Sequence, residues 1–183
     1  MIKTKKQVRK EILEKLNSQA GEEALRKSAV IKKKLFSLPE FKKAELIMFY
    51  ASKQNEVNTT RMIDEALRTG KKVALPRCAS QKTFVAKEIR DRHTDLEKGS
   101  YGIYEPRKEI PEADIGRIGL VVVPGVAFDT QNGRLGRGKG YYDRFLKKLS
   151  PGKIIIGLAF DFQIVKDLPK DSHDIPVSKI ITD

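Results

Sequence analysis

Residues 120–160 read LVVVPGVAFDTQNGRLGRGKGYYDRFLKKLSPGKIIIGLAF, and this stretch decides the fold class. Two apolar runs within it, LVVV (120–123) and KIIIGLAF (153–160), predict strands that are buried on both faces of a sheet. Between them, apolar residues recur at helical spacing: Tyr142, Phe145, Leu146 and Leu149. This spacing predicts a helix that begins near Tyr141 and ends before Pro151. Strand, loop, helix and strand in succession are typical of α/β folds.

The rest of the chain supports the same fold class. Further apolar runs predict more strands: ELIMFY (45–50), KVALP (72–76), TFVAKEI (83–89) and residues 179–182. Helical spacing occurs twice before residue 37, first on Val8, Ile12 and Leu16, then on Leu25, Ala29, Lys32 and Phe36. We therefore predict a single α/β domain over residues 1–183, with a mainly parallel central sheet flanked by helices. It is open and doubly wound, of the Rossmann-like kind, with N-terminal helices.

The composition favours a cytoplasmic protein. The chain has 183 residues, of which 39% are apolar, enough for one core. It contains no run of about 18 apolar residues, so we expect no membrane span, and we expect no secretory signal behind the basic N-terminus. Cys78 is the only cysteine and cannot form an internal disulfide. The two histidines, His93 and His173, lack metal-ligand spacing, and we do not expect them to bind metal.

The net charge of +13 favours anionic partners: nucleic acid, a membrane surface, or phosphorylated and carboxylated small molecules. The charge is concentrated in two places. Residues 1–34 carry eleven Lys and Arg against four Glu, and residues 134–148 carry six against one Asp. The second concentration coincides with the glycine-rich stretch.

The glycine-rich stretch GRLGRGKG (133–140) has the composition of an anion site. Glycines let backbone N–H groups approach an anion, and the following helix adds unpaired N–H groups at its N-terminus. Arg134, Arg137 and Lys139 can donate charge-assisted hydrogen bonds to phosphate oxygens. Asp143, in the first turn of the helix, could hold Mg²⁺.

Two other interpretations of this stretch stay open. Residues 133–139 match the phosphate-loop pattern GxxxxGK, but Gly140 stands where that pattern has Ser or Thr, and five or more residues separate it from the preceding strand. The alternative is a solvated turn that binds no ligand. Gln131-Asn132-Gly133 favours a turn by itself, and Asp143 would complement the helix dipole. Four ordered glycines among four like charges are costly unless an anion binds there, so we favour an anion site.

GRLGRGKGYYDRFL, preceded by VVVPGVAFD (121–129), resembles the signature of the 5-formyltetrahydrofolate cyclo-ligase family. Four shorter segments resemble other parts of that family, in the same order: KKQVR (5–9), ASKQNE (51–56), YGIYEP (101–106) and HDIPV (173–177). The resemblance therefore extends along most of the chain. It implies an enzyme that couples ATP hydrolysis to ring closure of 5-formyltetrahydrofolate, giving 5,10-methenyltetrahydrofolate, ADP and phosphate.

The resemblance also implies roles for individual residues. The ATP-binding residues would be Lys5, Lys6, Gln7, Val8, Arg9, Arg134, Leu135, Gly136, Arg137, Gly138, Lys139, Gly140, Tyr141 and Tyr142. The substrate-binding residues would be Ala51, Glu56, Tyr104, Arg137, Gly138, Lys139, Gly140 and Tyr141. Glu56 would accept hydrogen bonds from the pterin ring, and Arg137 and Lys139 would be catalytic, nearest the transferred phosphoryl group. Asp143 and Asp174 would bind Mg²⁺.

The resemblance implies small-molecule partners, a reduced folate and ATP, bound by a monomer without a membrane or stable nucleic acid. A basic nucleic-acid-binding domain is one alternative, supported by the net charge, but no aromatic-rich strand resembles a base-stacking platform. A small-molecule kinase with a phosphate loop is the other, and Gly140 in place of Ser or Thr counts against it.

Overall fold

The computed structural model describes residues 3–99 and 102–183, so Tyr101, at the start of the YGIYEP segment, lies outside the described residues. The helices in these ranges are α1 (Lys5–Ser18), α2 (Gly21–Ser37), α3 (Pro39–Lys43), α4 (Thr60–Arg68), α5 (Arg92–Asp95) and α6 (Tyr141–Leu146). The strands are β1 (Leu46–Met48), β2 (Lys72–Cys78), β3 (Phe84–Ile89), β4 (Leu96–Lys98), β5 (Tyr104–Pro106), β6 (Ile118–Val123), β7 (Ala127–Asp129), β8 (Arg134–Leu135), β9 (Ile154–Leu158), β10 (Ile164–Val165) and β11 (Lys179–Ile181). Short 3-10 helices lie at Ile115–Arg117 and Asp161–Gln163.

The central sheet contains six strands within the described ranges, in the order β11, β9, β6, β1, β2, β3. Neighbouring strands run parallel, except that β3 pairs with β2 in the antiparallel sense. β1 lies near the middle, with Met48 beside Ala74 of β2 and Val121 of β6. The predicted α/β fold with a mainly parallel sheet is therefore confirmed.

Apolar residues of β6 alternate between the two faces of this sheet. Leu120 and Val122 pack into a buried cluster with residues of α1, α2 and α4, whereas Val121 and Val123 pack into a second cluster with Phe145 of α6. Both faces of the strand are thus covered. This is why the apolar run in the sequence is continuous and does not alternate with polar residues.

The glycine-rich stretch begins as a strand, where the sequence predicted a loop throughout. Arg134 and Leu135 form β8, which pairs antiparallel with β7 in a small sheet that also contains β10. Asp129 closes the turn between these strands, because its Oδ1 accepts the backbone N–H of Gly133 at 2.6 Å. A Cβ at Gly133 would lie 2.6 Å from Asp129 Oδ2, so this turn requires glycine. The loop itself starts at Gly136.

The first helix follows the predicted pattern, and the second does not. The predicted residues of α1 are buried: Val8, Ile12 and Leu16. The buried face of α2 lies one position before the predicted one and consists of Ala24, Ser28, Ile31 and Leu35. Leu25 is instead 47% exposed. Ser28 can be buried because its hydroxyl donates to the Ala24 backbone oxygen at 2.7 Å, a bond that a hydropathy pattern does not reveal.

Candidate active site

A cavity of about 690 Å³ lies where β1, β2 and β6 end. Tyr50 and Ala51 line it just after β1, Cys78 lines it at the end of β2, and Pro124 lines it just after β6. This is the edge of a parallel sheet at which α/β proteins bind ligands. The volume falls within the range of roughly 300–1,000 Å³ that is typical of small-molecule sites.

The glycine-rich stretch forms one wall of the cavity, from Arg134 to Arg144. Gly138 and Gly140 have positive φ angles of 100° and 62°, a region that other residues rarely adopt. Gly140 is also the N-cap of α6, so the chain turns directly from the loop into the helix. The structure therefore brings all the ATP-binding residues predicted in this stretch to one cavity.

Arg134 and Asp143 form an ion pair in this wall, with 2.7 Å between Nη2 and Oδ1. The Arg134 side chain is only 2% exposed, and its guanidinium lies over the Tyr142 ring, 5.7 Å from the centroid. Asp143 Oδ1 also accepts the backbone N–H of Ile175 at 3.2 Å. Asp143 thus lines the cavity as a carboxylate, but one of its oxygens is already held by Arg134.

Helix α1 presents Lys5 and Arg9 to the cavity, one helical turn apart. Arg9 Nε donates to the backbone oxygen of Gly136 at 2.9 Å, which joins α1 to the glycine-rich loop. The other residues of this predicted ATP-binding segment lie elsewhere, two exposed on the helix surface and one in the core: Lys6, Gln7 and Val8.

Lys5 also contacts two carboxylates, with Nζ 2.7 Å from Asp171 Oδ2 and 2.5 Å from Asp174 Oδ2. Burial lowers the pKa of Lys5, but its hydrogen bonds to these carboxylates outweigh burial and raise the pKa overall. Burial likewise raises the pKa of Asp174, and the hydrogen bond from Lys5 turns the overall shift downward. His173 Nε2 lies 3.9 Å from Asp174 Oδ1. The three residues Asp171, His173 and Asp174 each offer a ligand atom within 4.8 Å of the others.

The donor chemistry of the cavity fits Mg²⁺. Asp143 and Asp174, the two predicted metal ligands, both line it. Mg²⁺ typically binds through one or two carboxylates together with phosphate oxygens and water, so these two side chains are a sufficient protein contribution.

Arg137 connects the glycine-rich loop to the ASKQNE segment. Its Nε and Nη2 lie 3.2 Å and 3.0 Å from Glu56 Oε1. Glu56 Oε2 accepts the backbone N–H of Lys53 at 3.0 Å. Ala51 lines the same cavity, whereas Tyr104 is 60% exposed and lines a second cavity of about 310 Å³ that shares Ala51 with the first.

Several residues that line the cavity were not predicted from the sequence: Cys78, Phe84, Glu105, Asp171 and His173. Phe84 comes from β3 and stacks on Phe145, with ring centroids 4.8 Å apart. Burial and a hydrogen bond with Glu105 raise the pKa of Cys78 to about 11. Glu105 and His173 carried a usable signal, because they belong to the quoted segments YGIYEP and HDIPV. The others reach the cavity through tertiary packing.

The fold and the cavity define an α/β protein with a basic, glycine-lined cavity at the carboxyl edge of its sheet. Among the described helices, none has the length and apolar character needed to cross a bilayer. The chain belongs to the 5-formyltetrahydrofolate cyclo-ligase family, whose model matches residues 1–183.

Individual relatives agree with this assignment. The 5-formyltetrahydrofolate cyclo-ligase of Mus musculus is 30% identical over 187 residues, which cover 97% of this chain and 92% of the mouse protein. The Escherichia coli K12 protein of the same name is 29% identical over 155 residues, 81% of this chain and 84% of its own length.

Solved structures are similar over almost the whole chain. The NMR structure of Aquifex aeolicus 5,10-methenyltetrahydrofolate synthetase has a TM-score of 0.87 and 36% identity, and covers 97% of this chain and 89% of its own. The Mycoplasma pneumoniae 5,10-methenyltetrahydrofolate synthetase has a TM-score of 0.79 and 26% identity, with 97% of both chains covered. The names of these relatives support the same enzyme class for this chain.

Proposed function

We propose that the protein is a 5-formyltetrahydrofolate cyclo-ligase that uses ATP and Mg²⁺ to form 5,10-methenyltetrahydrofolate, ADP and phosphate. Family membership supports the ring closure and ATP as co-substrate. The observation that carries the proposal is the convergence of cationic side chains on one cavity, among them Lys5, Arg9, Arg137 and Lys139. The carboxylates of Asp143 and Asp174 line the same cavity, and together these groups suit a triphosphate with a divalent ion.

The proposed chemistry solves a leaving-group problem. The formyl group on N5 is an amide, and its oxygen leaves poorly. In the first step this oxygen attacks the γ-phosphorus of ATP, the bond to the β–γ bridging oxygen breaks, and ADP leaves. In the second step N10 attacks the formyl carbon and loses its proton to water, the carbon–oxygen bond breaks, and phosphate departs.

In both steps the protein supplies position and charge, and no covalent nucleophile is needed. Arg137 and Lys139 would neutralise the oxygens of the transferred phosphoryl group. Lys5 and Arg9 would hold the rest of the triphosphate from α1. Because Arg9 donates a hydrogen bond to the backbone oxygen of Gly136, the same contact would hold the glycine-rich loop in position beside the nucleotide.

Asp143 and Asp174 would hold Mg²⁺, and the ion, when bound, would neutralise charge on the phosphate oxygens. Arg134 and Lys5 pair with these carboxylates in the structure described above. Each carboxylate would therefore share its oxygens between the cation of the protein and the metal ion.

The folate side of the cavity would be formed by Ala51, Glu56 and Tyr141, with Tyr104 on the neighbouring cavity. The Arg137–Glu56 pair would link the two ligands, because the arginine at the phosphoryl group is held by a carboxylate on the folate side. This coupling would align the γ-phosphorus with the formyl oxygen.

We further propose that the chain acts as a single-domain monomer in the cytoplasm. The single cysteine and the absence of an extended apolar run in the sequence support this setting. Size-exclusion chromatography with light scattering should give the mass of one chain, 20.7 kDa. A dimer mass would contradict the proposed monomer and leave the reaction unaffected.

Two rival functions give different results. A small-molecule kinase would leave phosphate on its isolated product, whereas the cyclo-ligase would release it. A nucleic-acid binder with contacts to six or more phosphates would lose roughly a thousandfold in affinity between 50 and 200 mM salt. We expect no stable complex with an oligonucleotide at the higher salt concentration.

The decisive assay follows the methenyl product by its absorbance after 5-formyltetrahydrofolate, ATP and Mg²⁺ are added. Product should require both ATP and Mg²⁺, and a chelator should stop its formation. Lys139→Ala should lower kcat about 100- to 1,000-fold, as does loss of a donor to developing charge. Lys148→Ala, an exposed lysine outside the lining described above, should leave kcat unchanged. Folded, ATP-binding protein that forms no product would overturn the proposal and favour a kinase.

A further inference from the structure

Glu105 is a buried carboxylate in the wall of the candidate active site. It lies on β5, is 7% exposed, and lines the cavity. The neighbouring arginines are engaged elsewhere: Arg77 and Arg107 with Glu97, and Arg137 with Glu56. Within residues 3–99 and 102–183, Glu105 therefore has no ion-pair partner.

The hydrogen bonds that Glu105 makes leave part of its capacity unused. Its Oε2 accepts the backbone N–H of Cys78 at 3.1 Å, and the Cys78 side chain is a second partner. Because the pKa of this thiol is raised to about 11, it keeps its proton at neutral pH and can donate it. An ionised carboxylate has about four acceptor sites, and burying a charge without partners is costly. A ligand with N–H donors would fill the acceptor sites of Glu105 that the protein leaves unused.

The position of this carboxylate is set by its surroundings. A Cβ at Gly99 would lie 2.7 Å from Glu105 Cδ, so the side chain packs directly on the Gly99 backbone. Pairing of β5 with β4, in which Glu97 lies opposite Glu105, fixes the backbone along one edge of the strand. Glu105 is therefore confined in the cavity wall, as recognition of a ligand edge requires.

We propose that Glu105 binds the N–H edge of the substrate's pterin ring and selects for 2-amino-4-oxopteridines. In this ring N3–H and the 2-amino group lie side by side, and a carboxylate can accept from both. The family resemblance implies hydrogen bonds from the pterin ring to Glu56, which in the structure accepts from Arg137 and from the Lys53 backbone; Glu105 adds a carboxylate for the N–H edge. The assignment to Glu105 rests on the proposed function, since that function supplies the pterin.

The test measures the Kd of 5-formyltetrahydrofolate without ATP by calorimetry, for the wild-type protein and Glu105→Gln. The glutamine keeps the shape but places an N–H₂ group against the pterin donors, and we expect the Kd to rise about 10- to 100-fold, the range for a hydrogen bond to a charged group. The Kd of a non-hydrolysable ATP analogue should change less than about twofold, because those phosphates are bound by other side chains. Glu97→Gln is the matched control, since Glu97 lies across the strand pair and faces Arg77.

A modified ligand makes the test specific to the pterin edge. The 2-desamino-2-methyl analogue of 5-formyltetrahydrofolate lacks the 2-amino donor. The rise in Kd caused by Glu105→Gln should therefore be at least about fivefold smaller for this analogue than for the natural substrate. Gly99→Ala keeps the charge of Glu105 but displaces the carboxylate, and should reproduce the selective loss of folate affinity. Thermal melting of each variant establishes that it is folded.

Glu105→Gln that weakened binding of the natural folate and of its 2-desamino-2-methyl analogue equally, or weakened neither, would overturn the role of Glu105. A fall in kcat at unchanged Kd would overturn it as well, since it would indicate action on the reacting atoms and not on the pterin edge. Product formation by the wild-type protein separates this failure from failure of the proposed function. A wild-type protein that neither binds the folate nor forms product would overturn both.

Discussion

Lys5 and Asp174 lie 169 positions apart in the sequence and form an ion pair, with 2.5 Å between Nζ and Oδ2. Their side chains are 18% and 22% exposed, so the pair is largely shielded from solvent. It joins the first helix to the C-terminal segment at the cavity. The site that we propose for ATP and Mg²⁺ is thus assembled from both ends of the chain.

The Lys5–Asp174 pair predicts how stability depends on pH. Folding lowers the pKa of Asp174, so its contribution is present above the unfolded carboxylate value of about 3.9 and is lost as pH falls through the lower folded value. Folding raises the pKa of Lys5, so that contribution is present below the unfolded lysine value and is lost as pH rises through the folded value. Asp174→Asn should lower the free energy of unfolding by about 1 kcal/mol at pH 7.

Urea denaturation at pH 7 and pH 3 tests this prediction. The difference between wild-type protein and Asp174→Asn should shrink at pH 3, because this pH lies below the unfolded carboxylate pKa of about 3.9 and protonation then favours the unfolded state. A difference of the same size at both pH values would show that the effect comes from packing and not from charge.

Gly157 is predicted to be essential to the core. A Cβ added there would overlap Cε1 of Phe128, which has no exposed surface. Gly157→Ala should destabilise the protein by about 1–3 kcal/mol, the usual cost of overpacking, and lower Tm by roughly 3–10 °C. Gly21→Ala is the control, because nothing lies within 4 Å of a Cβ at that position. Calorimetry that gave both variants the Tm of the wild type would contradict this packing.

Cys78 is predicted to react slowly with iodoacetamide in the native state. Burial, followed by the interaction with Glu105, raises the pKa of the thiol to about 11, so little thiolate exists at pH 8. At pH 8, alkylation of Cys78 in the folded protein should be more than about tenfold slower than in the urea-unfolded chain. The rate should increase between pH 9 and 11. Mass spectrometry after timed quenching measures the rate. Rapid alkylation of folded protein at pH 7 would be incompatible with this environment.

Arg137 is predicted to affect catalysis without affecting stability. Its side chain is 39% exposed and pairs with Glu56, so its loss leaves no buried cavity. Arg137→Ala should lower kcat about 100- to 1,000-fold and leave Tm within about 2 °C of the wild type. Arg26→Ala, an exposed arginine on α2, is the matched control. If Arg137→Ala kept full kcat, the residue would have no role at the transferred phosphoryl group.

The sequence was sufficient where one local pattern decides the structure. The continuous run of β6, the helical spacing after Gly140 and the apolar run of β9 each predicted the element that the structure contains. The antiparallel direction of β3 could also have been inferred, because the short connection from Cys78 to Phe84 cannot make the crossover that parallel strands need.

The sequence was insufficient where side chains meet through the tertiary fold. The spacing in α2 was correct, but its phase was wrong by one residue, because the burial of Ser28 depends on a hydrogen bond to its own helix. Arg134 was predicted as a phosphate ligand, and the structure shows its guanidinium buried against Asp143. Glu105 was quoted only as part of a motif, since its burial and unused acceptor capacity exist only after β5 has packed beside β2.

The most direct test of the account follows the formyl oxygen. Wild-type protein is given 5-formyltetrahydrofolate labelled with ¹⁸O in the formyl group, together with unlabelled ATP, Mg²⁺ and water, and the released phosphate is analysed by mass spectrometry. Transfer of the γ-phosphoryl group to the formyl oxygen predicts one ¹⁸O atom in each phosphate for each methenyl product. Unlabelled phosphate would mean that water attacks ATP, and would contradict the proposed activation of the formyl group.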